Sequence, residues 1–279
     1  MALRADGPNP AEPADEQSEL ESLREQAEDL QERGLWGEEA LRVNQAIVDL
    51  DPNDFTTATR LGRCVQTAGR PCEALELFDR VLAADPGEPV ALELRGVAAA
   101  DCQLEREVRR LEQEGGLDAV RKAASSAGQS YRDLRFAVIA RQAVVERDPS
   151  AVSLGALAAA LAAKGELHTA EPLFRRSLEL DPDPHSNADS MLAFGALLRE
   201  QTRHEEAVAA CEQVLAGLPE DVRALTLATE LLSDLAETER SHERLVEANG
   251  YADRIWAQGI RDDTVDALYD RMKRIYARI

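Results

Sequence analysis

Leu20, Leu23, Ala27 and Leu30 recur at steps of three and four residues, so they share one face of a helix that begins near Ser18. Similar apolar stripes return along most of the chain, and strong ones are followed by a proline: Pro52, Pro86, Pro149, Pro182 and Pro219. Asp precedes four of these, as Asp51, Asp85, Asp148 and Asp181. Proline cannot continue a helix, so each marks a stop and a restart. Twelve residues before each proline stands an alanine: Ala40, Ala74, Ala137, Ala170 and Ala207. A small residue at a fixed register predicts a point where two helices of a pair cross closely.

The distances between prolines set a period. Pro52 to Pro86 is 34 residues, Pro149 to Pro182 is 33 and Pro182 to Pro219 is 37. Inside the units, Leu61-Gly62, Gly69, Ala74, Phe78 and Val81 lead to Pro86. Leu154, Leu157, Leu161, Gly165, Ala170, Phe174 and Leu178 lead to Pro182. Phe194-Gly195, Leu198, Ala207 and Val214 lead to Pro219. Each reads as two helices joined by a turn at or near a glycine.

On these residues the chain resembles the tetratricopeptide-repeat family over roughly residues 18–250. The resemblance departs from the family pattern where Asn44, Arg141 and Cys211 stand in an aromatic position, and Trp36 sits in a turn. It implies an all-α fold, an α-solenoid of antiparallel helix pairs with a C-terminal capping helix. The expected layout is a disordered tail over 1–16, a repeat array over 17–250 and capping helices over 251–279. The interval from Pro86 to Pro149 is 63 residues, too short for two full repeats, so the array is expected to be irregular around 101–132 with a break at Gly115-Gly116. Leu104, Val108 and Leu111 predict either a short second helix or a continuation of the first. A further pair carries Leu225, Ala228, Leu231, Leu232, Leu235 and Leu245 and is expected to end at Asn249-Gly250. Val265, Leu268, Met272 and Ile275 then mark the terminal helix.

Composition narrows the function. The net charge is −21, from 53 acidic and 32 basic side chains. Such a surface repels phosphate backbones and anionic membranes, so neither nucleic acid nor membrane is an expected partner. Only Lys122, Lys164 and Lys273 are lysines among the basic residues, a bias expected of GC-rich, bacterial coding sequence. No apolar run is long enough to span a bilayer, and residues 1–16 lack the apolar core of a signal peptide. Cys64, Cys72, Cys102 and Cys211 form no C-x-x-C pair and stand at no metal-ligand spacing from a histidine. They are expected to be free thiols in a reducing cytoplasm.

No phosphate loop, nucleophile elbow or ligand cluster is present in the sequence, and no cofactor or metal is expected. His168, His185, His204 and His242 are scattered, and the acid pairs Glu38-Glu39 and Glu205-Glu206 open second helices, where they complement the helix dipole. The resemblance implies a binding protein that is not an enzyme, with a concave groove lined by the first helix of each pair. Its groove-facing positions would be Thr59, Arg63 and Gln66, with Arg60 beside them, then Glu93 and Val97, Ala159 and Ala162, Ala196 and Arg199, and Thr226 and Glu230. Arg60, Arg63 and Arg199 read either as local ion-pair partners or as forks for a partner's carboxylate. A protein or peptide partner is expected. Self-association through a terminal helix, or an enzyme site hidden near 101–132, stand as the alternatives.

Overall fold

The computed structural model describes residues 13–260 and 263–279; residues 1–12, Arg261 and Asp262 lie outside the described part, and with them most of the expected tail. Among the described residues all regular structure is helical, in thirteen helices without a strand. Contacts divide the chain into two compact units, residues 1–142 and 143–279.

The first unit opens with α1 (Pro13–Glu32) and α2 (Glu38–Leu50), followed by α3 (Phe55–Thr67) and α4 (Pro71–Ala84). Helix α1 begins at Pro13, ahead of the start expected near Ser18. Each helix packs on the next, and α3 also touches α5 (Pro89–Ser125). Ala58, Leu61, Ala74, Phe78 and Val81 form the centre of this core and are essentially inaccessible. The unit closes on α6 (Tyr131–Arg147), which crosses into the second at its C-terminal end.

The Asp-Pro signature has a local cause. Asp51 Oδ1 accepts from the Asn53 N–H at 3.2 Å, Asp85 Oδ1 from the Gly87 N–H at 3.0 Å and Asp181 Oδ1 from the Asp183 N–H at 3.1 Å. The intervening proline has no N–H, so the carboxylate reaches past it and closes the turn. A second oxygen-bearing residue then caps the next helix. Asp54 accepts from the Thr57 N–H at 2.9 Å, and Asp221 from the Arg223 and Ala224 N–H groups at 3.0 Å each. Within pairs the turn needs a left-handed residue. Gly69 and Gly165 supply it at φ 77° and 91°, whereas Thr202 and Arg240 adopt φ 60° and 53° without that freedom.

The middle takes the second of its two expected forms. Cys102–Glu114 continues the first helix and does not form a second one, and the 37-residue α5 stretch is two helical segments that meet at a kink, at the glycine pair where a break was expected. Regular backbone is interrupted within it at Gly116 alone, with φ 68° and ψ −171°. The Pro86–Pro149 interval is therefore one pair with a long first helix, not two shortened repeats. Helix α6 is its second helix, docked by Arg135, which pairs with Asp101 and donates to the Val97 carbonyl at 3.0 Å.

The cysteine expectation is also corrected. Cys72, the second residue of α4, is disulfide-bonded to Cys102 on α5, with Cα atoms 4.5 Å apart. Cys64 and Cys211 are free and buried, and burial pushes their thiols up to about 11 and about 12. The expectation of a reducing cytoplasm rested on four free thiols, and a disulfide removes that support.

The second unit contains α7 (Ala151–Ala163), α8 (Leu167–Leu180), α9 (Pro184–Glu200), α10 (His204–Gly217), α11 (Val222–Glu239), α12 (His242–Ala257) and α13 (Asp263–Tyr276). First helices touch in series, α7 on α9, α9 on α11 and α11 on α13, while each second helix packs on its own first helix. The pair α11/α12 is the sixth, because the middle holds one pair. Helix α12 runs on through Asn249-Gly250, where the sequence suggested a stop, and ends at Ala257. Helix α13 rests on α11 and α12, in the place a further first helix would take. No described helix is long and apolar enough to cross a membrane.

Candidate partner-binding surface

The expected groove residues fall into two sets, one in each unit. In the first unit Thr59 is buried, and its hydroxyl donates to the Phe55 carbonyl of its own helix at 3.0 Å. It serves the helix and offers little to a partner. Arg60 reaches Glu28 at 4.0 Å. Arg63 is exposed and lies over the Trp36 ring, 4.0 Å from its centroid. Gln66 donates to Asp101 at 3.3 Å. Glu93 and Val97 are exposed on α5.

In the second unit Ala159 and Ala162 are half-buried and Ala196 is exposed. Arg199 is held by two carboxylates of the next first helix, donating to Asp234 at 2.8 Å and pairing with Glu230. The ladder goes on through α13 and just past its end: Arg271 pairs with Asp234, and Arg278 with Glu237 at 3.2 Å. Arg199 is thus ion-paired within the second unit. Its replacement by Ala leaves Glu230 and Asp234 with one cation fewer in a partly shielded site. That change is expected to lower the stability of the second unit by about 1–2 kcal/mol in urea unfolding. Arg176→Ala, at an exposed pair with Glu179, is expected to stay within about 0.5 kcal/mol.

A second charge cluster sits at the turn between α9 and α10. Burial works against ionisation of Glu171, but hydrogen bonds from Arg203, Arg175 and Gln201 outweigh it and bring this carboxyl down to about 2. Arg203 and Gln201 join the α9–α10 turn to α8, and Arg175 pairs with Glu171 within α8. Among the described residues no group of His, Cys, Asp and Glu has metal-binding geometry.

Thr226 and Glu230 come together in an open pocket of about 370 Å³ between α11 and α13. Val222, Leu227 and Val265 give it apolar walls, and Arg223 stands at its edge. Sequence reasoning missed Leu227, which lies off the core stripe of Leu225, Ala228, Leu231 and Leu232. The only available signal was that an apolar side chain at that position has no place in the core.

Residues 149–220 match the family model described as tetratricopeptide repeat. This stretch spans α7 to α10, which therefore carry the tetratricopeptide repeat. No curated protein sequence matches the chain. Among solved structures it is similar to a tetratricopeptide repeat protein from Parabacteroides merdae, at 16% identity and TM-score 0.43, covering 91% of this chain and 98% of that one. It is also similar to YrrB, described as a TPR protein with an unusual peptide-binding site, at 15% identity and TM-score 0.33, over 78% of this chain and 98% of that one. MamA from Desulfovibrio magneticus is 18% identical with TM-score 0.30, over 72% of this chain and 96% of that one.

Proposed function

We propose that the protein is a binding module, not an enzyme, that takes a peptide or a segment of a partner protein on the exposed faces of its first helices. The observation that carries this reading is the pocket at Thr226 and Glu230, which combines apolar walls with charged edges. Such a site suits one aliphatic side chain of a peptide, with polar groups at the edge fixing its direction. The net charge of −21 favours a neutral or basic partner over nucleic acid. In the first unit the exposed Arg63 and Glu93, with the half-buried Gln66, offer a second contact zone. Residence in the cytoplasm belongs to this proposal too, and the disulfide weighs against it.

The test is affinity capture from the native host, followed by titration of the captured partner. Thr226→Arg fills the pocket with a charged side chain and is expected to weaken binding at least about tenfold, that is about 1.4 kcal/mol. Arg63→Glu is expected to weaken it less, because Arg63 lies on the first unit only. Thr226 is half-buried, so the thermal midpoint of the variant is compared with that of the parent. If Thr226→Arg folds normally and binds the partner as tightly as the parent, the first-helix face is not the site.

A further inference from the structure

Thiol chemistry in this chain is confined to one place. Cys64 and Cys211 are fully buried, and burial pushes their thiols up to about 11 and about 12, so at neutral pH both are protonated and out of a reagent's reach. The other two sulfurs form the bridge between α4 and α5, and its two ends differ. Cys72 is half-buried in the first turn of α4, whereas Cys102 is 2% exposed on α5. A thiol from solvent therefore meets the bridge at the Cys72 sulfur.

The bridge stands among contacts that join consecutive helices. Asp101, next to Cys102, is buried; through Oδ2 it accepts from Gln66 of α3 at 3.3 Å and pairs with Arg135 of α6. Its Oδ1 is buried without a hydrogen-bond partner. A buried acceptor left unsatisfied favours states in which water reaches it. One turn further along α5, Glu105 accepts from the Cys72 N–H at 3.0 Å. The covalent link thus holds shut a segment that gains a hydrogen bond by loosening. The Glu105 contact keeps the two sulfurs close once that link is cut.

We propose that the Cys72–Cys102 bridge is a redox switch on the α3/α5 face of the first unit, opened at Cys72 by a dithiol reductant and closed again by a disulfide oxidant. One thiolate of the reductant attacks the Cys72 sulfur, the S–S bond breaks, and Cys102 takes the electron pair and a proton. The second thiolate attacks the reductant's own sulfur in the mixed disulfide. That step closes the reductant's disulfide and releases Cys72, which takes the second proton. Two electrons and two protons pass to the protein, and closure runs the same steps in reverse. Opening admits water to Asp101 and loosens its hold on Gln66. Gln66 lies in the zone assigned above to a partner, and any effect on binding rests on the first-helix reading. The switch itself is read from thiol state and amide exchange, so the two fail separately.

The experiment starts from the full chain closed with oxidised dithiothreitol under native conditions. Reduced dithiothreitol is expected to raise the thiols counted in denaturant from two to four. Amide hydrogen exchange over residues 64–68 and 98–105 is expected to quicken at least about tenfold, while α7 to α11 stay as they were. Oxidised dithiothreitol is expected to reverse both changes. The Cys72→Ala/Cys102→Ala variant is expected to exchange like the reduced parent and to ignore reductant. Oxidised glutathione locates the point of attack: a lasting adduct is expected on Cys72 of Cys102→Ala, and at least about tenfold less on Cys102 of Cys72→Ala. Exchange that reduction leaves unchanged, a first unit that unfolds outright on reduction, a pair that oxidant does not reclose, or equal adducts on the two single variants overturns the proposal.

Discussion

Replacing Phe78 by Ala is expected to destabilise the first unit by about 3–5 kcal/mol, read as a lower urea midpoint. The ring is fully buried where α4 crosses α3, and it fills the space left by Gly62. A Cβ built on Gly62 would stand 2.5 Å from Phe78 Cε1. Gly62→Ala is therefore expected to destabilise the protein, although Ala is the better helix former by about 1 kcal/mol. On a Phe78→Leu background the penalty for Gly62→Ala is expected to shrink, because the smaller side chain leaves room for the methyl group. That non-additivity is the signature of direct contact. In the pair α9/α10 the aromatic is replaced by Cys211, and a Cβ on Gly195 would meet nothing closer than 3.4 Å. Gly195→Ala is accordingly expected to be near neutral. If Gly62→Ala and Gly195→Ala cost the same, the ring does not set the glycine requirement.

The contrast shows why so much of the fold was legible. The Ala register, the Asp-Pro stops and the Gly-aromatic contact all join residues within one repeat, so they recur at the repeat period and stand out in a single sequence. Contacts between repeats are harder to see. Arg199 meets Asp234, Arg203 meets Glu171, and Arg271 meets Asp234, pairs 35, 32 and 37 residues apart. These separations are close to the period, but in a chain that is 30% charged they are lost among many similar pairs. Arg199 could be read as a partner's anchor because its own partners lay one repeat away. The break in the middle was legible because two adjacent glycines mark it, and Gly116 takes the departure from helical backbone before the chain resumes as helix. Whether Cys102–Glu114 continued the first helix stayed open in the sequence, because its apolar stripe fits both forms. The hollow at Thr226 was invisible because it depends on the packing of α13, whose place in the array no local pattern fixes.

The Cys72–Cys102 disulfide was missed on the same ground, since the two cysteines look isolated until their separation of 30 residues is set beside the repeat period. It joins the second helix of one pair to the first helix of the next, beside a buried cluster. The Cys72 N–H donates to Glu105 at 3.0 Å, and the neighbouring Asp101 is held by Arg135 and Gln66. Closing a loop of that length restricts the unfolded chain by roughly 3–4 kcal/mol on the chain-entropy model. The double replacement Cys72→Ala/Cys102→Ala is thus expected to destabilise the first unit by about that amount, while reporters in the second unit keep their midpoint. The reductant arm is its check: dithiothreitol should lower the parent's first transition by a similar amount and leave the double variant unchanged. Thiol titration in denaturant fixes the starting state. The unreduced parent should show the two free thiols of Cys64 and Cys211, rising to four after reduction. Four thiols without reductant would mean that the bridge is absent from the purified protein, and a first transition insensitive to both reductant and double replacement would mean that it adds nothing to the packing of α4 on α5.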